Sequence, residues 1–196
     1  MQERGSYIIA VIGSREGVGA SSTSANLAIA LLQETRQRTL LIDLDTAAAG
    51  DQFVMLGIRS GQPLVHLSKM RKIDPSLLKP FLVQHTSGIS IATAILAREQ
   101  EKALSASHIV EALQHLERDF PYIVIDCGSQ INDLTSAVLE KASLILIVTN
   151  PDVLVVKRTK GVVEQLQSML FPSEMKYIVL NKHHERSGFS PQMIQA

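Results

Sequence analysis

At 196 residues, with 45% hydrophobic and 19% charged residues, the chain has the size and balance of one globular domain able to bury a real core. Its formal charge is zero, aromatics are only 4% and Trp is absent, which argues against nucleic acid as a partner, by charge or by base stacking. The single cysteine, Cys127, excludes an internal disulfide or a cysteine-built metal cage, and no apolar run approaches the ~20 residues that span a bilayer, so a cytoplasmic protein without a membrane segment is expected.

In chain order, the apolar run 7–12 predicts a buried strand, and the glycine-rich stretch 13–24 follows it directly. A helix is predicted over 20–35, then a strand over 39–43. Helical patterns near 63–70 and 74–85 precede a strand at 89–93. A helix near 107–118 leads to a strand at 122–126, and a helix near 134–140 to a strand at 144–149. The last pair is a helix over 154–170 and a strand over 176–181, followed by a polar loop and a tail with no further strand. Runs such as Leu144-Ile-Leu-Ile-Val148 are apolar throughout, which implies burial on both faces. The alternation predicts a doubly wound α/β fold, a mostly parallel sheet flanked by helices, with its ligand at the carboxyl ends of the strands.

Strand, glycine-rich turn and helix form the context of a phosphate loop. Gly17 and Gly19 allow the tight turn that aims successive N–H groups at one anion, and the helix N-terminus adds its dipole. The position before Ser21, where a lysine would reach the β- and γ-phosphates, is Ala20. Ser21 and Ser22 suit Mg²⁺ and α-phosphate contacts, or simple helix capping. Arg15 offers a phosphate clamp that the neighbouring Glu16 opposes, or the two form an exposed ion pair. Asp43 and Asp45 close the second strand, and Asp126 closes the strand 122–126. Acidic strand ends beside a glycine loop are the pattern of an ATP–Mg²⁺ site, in which such carboxylates hold the cation and orient an attacking water.

Asn181 can both donate and accept and so suits an adenine edge, or it is a turn residue. Lys157, Arg158 and Lys160 crowd the first turns of a helix, where cations are mildly unfavourable, and read as a contact for an anionic partner or as a solvated face. His183 with His184, and His108 with His115, come without carboxylate or cysteine ligands and read as structural or surface residues. Cys127 reads as buried packing.

Arg15-Glu-Gly-Val-Gly-Ala-Ser21 resembles the deviant Walker A loop of ParA- and MinD-like ATPases, Lys-Gly-Gly-x-Gly-Lys-Thr/Ser. Leu41-Ile-Asp-Leu-Asp45 is similar to that family's switch I, and Ile123-Val-Ile-Asp126 to its Walker B strand. Within the family the chain looks most like the CpaE/TadZ branch of pilus-assembly localisation proteins. Phe120-Pro-Tyr-Ile-Val-Ile-Asp126, Val148-Thr-Asn-Pro-Asp152 and Val179-Leu-Asn-Lys182 carry that resemblance, together with a loop that lacks its lysine. It implies a single domain over 1–196, short at its C-terminus, and ATP and Mg²⁺ as cofactors. Asp45 and Arg15 would be the catalytic residues, and Gly17, Val18, Gly19, Ala20, Ser21, Ser22 and Asn181 the nucleotide contacts. Ser21, Asp43 and Asp126 would hold the metal. The resemblance further implies a homodimer through the nucleotide face, pilus or secretion machinery as partner, and recruitment to a cell pole or inner-membrane complex. Ala20 and the departures at Arg15 and Glu16 imply weak ATP binding or very slow hydrolysis; an active ATPase using Arg15 and a nucleotide-free scaffold are the alternatives.

Overall fold

The computed structural model describes residues 5–103 and 105–184. Seven strands form one sheet: β1 (Tyr7–Gly13), β2 (Thr39–Asp43), β3 (Val83–Gln84), β4 (Ser90–Thr93), β5 (Tyr122–Asp126), β6 (Leu144–Thr149) and β7 (Lys176–Leu180). Their order is β3-β4-β2-β5-β1-β6-β7, and every pairing is parallel except the short β3–β4 contact at one edge. The doubly wound α/β expectation therefore holds.

Five α-helices complete the described chain: α1 (Ala20–Thr35), α2 (Asp51–Met55), α3 (Ala106–Leu116), α4 (Asp133–Leu139) and α5 (Val153–Ser168). The predicted strands match closely, because two-sided burial is written into their composition. Ile8, Ala10 and Ile12 face one core with Leu40, Ile42, Ile123 and Ile125, and α3 covers it through Ile109, Ala112, Leu113 and Leu116. Ile9 and Val11, with Leu41 and Val124, face the opposite core, where α1 lies. Helix α1 buries Ala20, Ser24, Ala25 and Ala28, small residues that let its backbone approach the sheet closely.

Two expectations fail. The pattern near 74–85 forms no α-helix: 3₁₀ turns at Pro75–Leu77 and Lys79–Phe81 give way to β3. Pro80 within the pattern removes a helical N–H donor, and Phe81 is buried as an anchor of the turn instead. The 63–70 pattern likewise forms a 3₁₀ helix, Leu64–Lys69. Among the described residues no helix is long and apolar enough to cross a membrane. The predicted tail beyond the polar loop lies outside the described residues.

Candidate nucleotide site

The strand register builds the site. Asp43 of β2 pairs with Asp126 of β5, so two carboxylates stand side by side at the carboxyl ends of neighbouring strands. Both are buried, at 2% and 0% exposure. Beside them β1 runs into the glycine loop. The Gly13 N–H donates to the Gly128 carbonyl at 2.7 Å, and the Ser14 N–H to the Val148 carbonyl at 2.9 Å, which moors the loop between β5 and β6. Gly19 opens α1 in the left-handed region at φ 98°, and Gly17 takes φ 78°. No side chain caps α1, so its first N–H groups remain directed at the cleft.

That cleft has a volume of about 770 Å³. Its walls carry three cations, Arg15, Arg98 and Lys182, against three carboxylates, Glu16, Asp45 and Asp51, which leaves no net positive wall. Ser14 Oγ is buried near the loop entrance without a hydrogen-bond partner.

Each expected residue has a distinct position. Ser21 lines the cleft, and its hydroxyl is placed to favour the charged form of Asp126. Ser22 is exposed, with its hydroxyl 3.8 Å from Met55 Sδ. Ala20 lies at the loop's end, largely buried against the core. Val18 is a core residue with 1% exposure, so only its backbone is available to a ligand. Asn181 donates from Nδ2 to the Val18 carbonyl at 2.8 Å, and Lys182 from Nζ to the Gly17 carbonyl at 2.7 Å. The end of β7 thus braces the loop from outside, and the remaining N–H and the carbonyl of the Asn181 amide stay available.

Strand β2 ends at Asp43, so Asp45 is not a strand-end residue but a turn residue two positions on. Its carboxylate accepts from the Ala47 N–H at 3.0 Å and the Ala48 N–H at 3.3 Å. Gly128, at φ 65°, lies so close to this carboxylate that a Cβ there would stand 2.7 Å from Oδ1.

Lys157, Arg158 and Lys160 lie on the exposed side of α5, away from the cleft walls. His108 bonds the Met70 carbonyl at 2.8 Å, a structural role. Cys127 is buried, and burial first, then Asp126, pushes its thiol up. Among the described residues no three His, Cys, Asp or Glu side chains are grouped to hold a metal alone. A nucleotide-borne Mg²⁺ does not need such a cage, since phosphate and water supply most of its ligands.

Sequence reasoning missed Gln52. It is fully buried, donates from Nε2 to Asp126 Oδ2 at 2.7 Å and to the Ser21 carbonyl at 2.9 Å, and directs its backbone N–H at Asp43 Oδ2 at 3.4 Å. A lone glutamine carries no spacing signal; the Gly50-Asp51 turn before it was the available clue.

Burial, and next the charge of Asp126, hold the Asp43 carboxyl well above its ordinary value of 3.8. Burial also raises Asp126, against the opposing influence of the Gln52 amide and the Ser21 hydroxyl. For an acid raised in the folded state, the contribution to stability is full below the unfolded pKa and is lost as pH climbs through the folded one. The protein without cation is therefore expected to lose stability from about pH 4 upward through this pair. Asp43→Asn should flatten that slope and raise the melting temperature at pH 8, which thermal melts across pH would measure.

A family model described as an AAA domain matches residues 6–171. The chain belongs to this family. It is 26% identical over 166 residues to the septum site-determining protein MinD of Bacillus subtilis, covering 82% of this chain and 60% of that protein. A ParA family ATPase from Chlorobium tepidum TLS superposes with TM-score 0.87 at 22% identity, over 96% of this chain and 79% of that one. MinD from Pyrococcus horikoshii OT3, complexed with Mg-ADP, superposes with TM-score 0.75 at 20% identity, over 97% and 76%. The chain spans about half the length of the curated relatives it matches.

Proposed function

We propose that this chain is a CpaE/TadZ-like positioning protein whose ATP–Mg²⁺ site is complete on the metal side and altered on the phosphate side. The observation that carries this reading is the pairing of Ser21 and the buried Asp43–Asp126 couple with a loop that offers Ala20 in place of lysine. In this reading Ser21 and Asp126 hold Mg²⁺, Asp43 supports it through water, and the N–H groups from Gly17 to Ser22 cradle the phosphates. Asn181 reads the adenine edge and Asp45 orients water. The site-determining role of the MinD relative supports a positioning function, and the Mg-ADP complex of the P. horikoshii protein supports the cofactor pair.

Losing the lysine removes one charge-assisted bond, worth about 1.5–3 kcal/mol, so binding is weakened rather than abolished. Turnover suffers more, because a donor aimed at the transferring phosphoryl is worth roughly 10²–10³ in rate. Nucleotide then acts mainly as a structural ligand at a homodimer face, stabilising the form that recruits pilus or secretion machinery at a cell pole or inner-membrane complex.

A second reading, a working ATPase that uses Arg15, draws on the position of Arg15 in the cleft wall. Thermal melts with Mg²⁺-ATP, run beside a hydrolysis assay, separate the readings. The proposed function expects a Mg²⁺-dependent rise in melting temperature with hydrolysis near background. Turnover well above background, lost in Asp45→Ala, would favour the second reading; no rise at all would sink both.

A further inference from the structure

The carboxamide of Gln52 occupies the space between the first turn of α1 and the paired carboxylates. Its Nε2 has two acceptors, Asp126 Oδ2 at 2.7 Å and the Ser21 carbonyl at 2.9 Å, which fixes which end of the amide faces them. The other end, Oε1, is buried with no hydrogen-bond partner in a residue of 0% exposure. A buried carbonyl without a donor is costly. The orientation is a compromise: two neighbouring buried carboxylates demand a positive partner more strongly than the amide carbonyl demands a donor.

A hydrated divalent cation reverses both demands. Its charge satisfies the carboxylates, and the water it brings needs acceptors. We propose that Gln52 is a cation-sensing residue. Without the ion its N–H group takes the ion's place on Asp126; with Mg²⁺ at Ser21 and Asp126 the carboxamide turns and Oε1 accepts from the accompanying water. This rests on the cleft being a nucleotide–Mg²⁺ site.

The sensing residue is placed to report outward. Gln52 lies in α2 between the exposed Asp51 and the buried Phe53. Val54 and Met55, the next two residues, are 79% and 44% exposed and line the mouth of the cleft. A turn of the Gln52 side chain, with its backbone N–H already aimed at Asp43, shifts these apolar residues along with α2. Metal loading thereby changes the surface offered at the cleft mouth, not only the affinity for phosphate.

The test follows the Gln52 side-chain amide in ¹H–¹⁵N correlation spectra of the full chain, assigned through its own backbone and checked by loss in Gln52→Leu. ADP is added first with chelator, then Mg²⁺ in excess of the chelator, while ³¹P spectra of the ADP, compared with the same additions made without protein, report binding at the site independently. The expected result is an amide pair that holds its position with ADP alone and moves on addition of Mg²⁺. A thiol-reactive fluorophore on Val54→Cys, with Cys127 buried and protected, should respond to Mg²⁺ in the otherwise native chain and not when Gln52→Leu is added. Mg²⁺-dependent ³¹P shifts that differ from those of protein-free Mg-ADP, with an unmoved Gln52 amide, would overturn the sensor and leave the nucleotide site standing. ³¹P spectra identical to those of ADP and Mg²⁺ without protein would overturn both.

Discussion

Gly19→Val should abolish nucleotide-dependent stabilisation altogether. Gly19 holds φ 98° at the mouth of α1, a backbone region that a β-branched residue essentially never adopts. A Cβ there would also collide with the Asn181 side-chain amide. Relief requires Asn181 to leave the Val18 carbonyl, which frees the brace between β7 and the loop. Strain of this kind costs about 1–3 kcal/mol, a loss that a domain of this size can survive in the folded state. The N–H groups proposed to cradle the phosphates would nonetheless lose their common direction. Gly17→Ala is the matched control, because Gly17 at φ 78° has nothing within 4 Å of an added Cβ. It should cost only the left-handed penalty, about 1–2 kcal/mol, and keep a measurable shift with Mg²⁺-ADP. Circular dichroism with thermal melts would check both; a retained nucleotide shift in Gly19→Val would refute the loop's role.

Ala20→Lys should tighten Mg²⁺-ATP binding by about ten- to hundredfold, the equivalent of one charge-assisted bond of about 1.5–3 kcal/mol. The cleft walls now balance three cations against three carboxylates, so one added ammonium makes them net positive. The gain should grow with phosphate number and be near zero for adenosine, because the lysine meets only the phosphates. Calorimetry with adenosine, ADP and ATP measures this gradient. Equal gains for all three, or no gain for ATP, would show that position 20 does not face the phosphates. Hydrolysis should rise by a larger factor than affinity, since the added charge acts most on the transferring group.

Much of this molecule was legible in its sequence. Runs like Ile8–Ile12 and Ile123–Ile125 have only one way to bury both faces, a central parallel strand, and the strands fell where those runs stand. Gly17 and Gly19 marked the loop because left-handed backbone is what glycine alone permits cheaply. The region 74–85 misled because its apolar spacing imitates a helix, while Pro75 and Pro80 limit it to 3₁₀ turns.

The carboxylates show where such reading stops. Composition and position put Asp43 and Asp126 at strand ends, but only the β2–β5 register makes them neighbours, and only packing buries them. Asp45 is equivalent to Asp43 by spacing, yet the chain leaves the sheet between them and Asp45 closes a turn against Gly128.

By itself, then, the sequence determined the α/β class, the loop and its missing lysine, because these depend on local pattern and residue type. The tertiary structure alone decided that Gln52 stands on Asp126, that Asn181 and Lys182 brace the loop across more than 160 positions of chain, and that the acidic pair is buried. Those facts arise from contacts between residues far apart in the chain, which no local period encodes and only the packed sheet brings together.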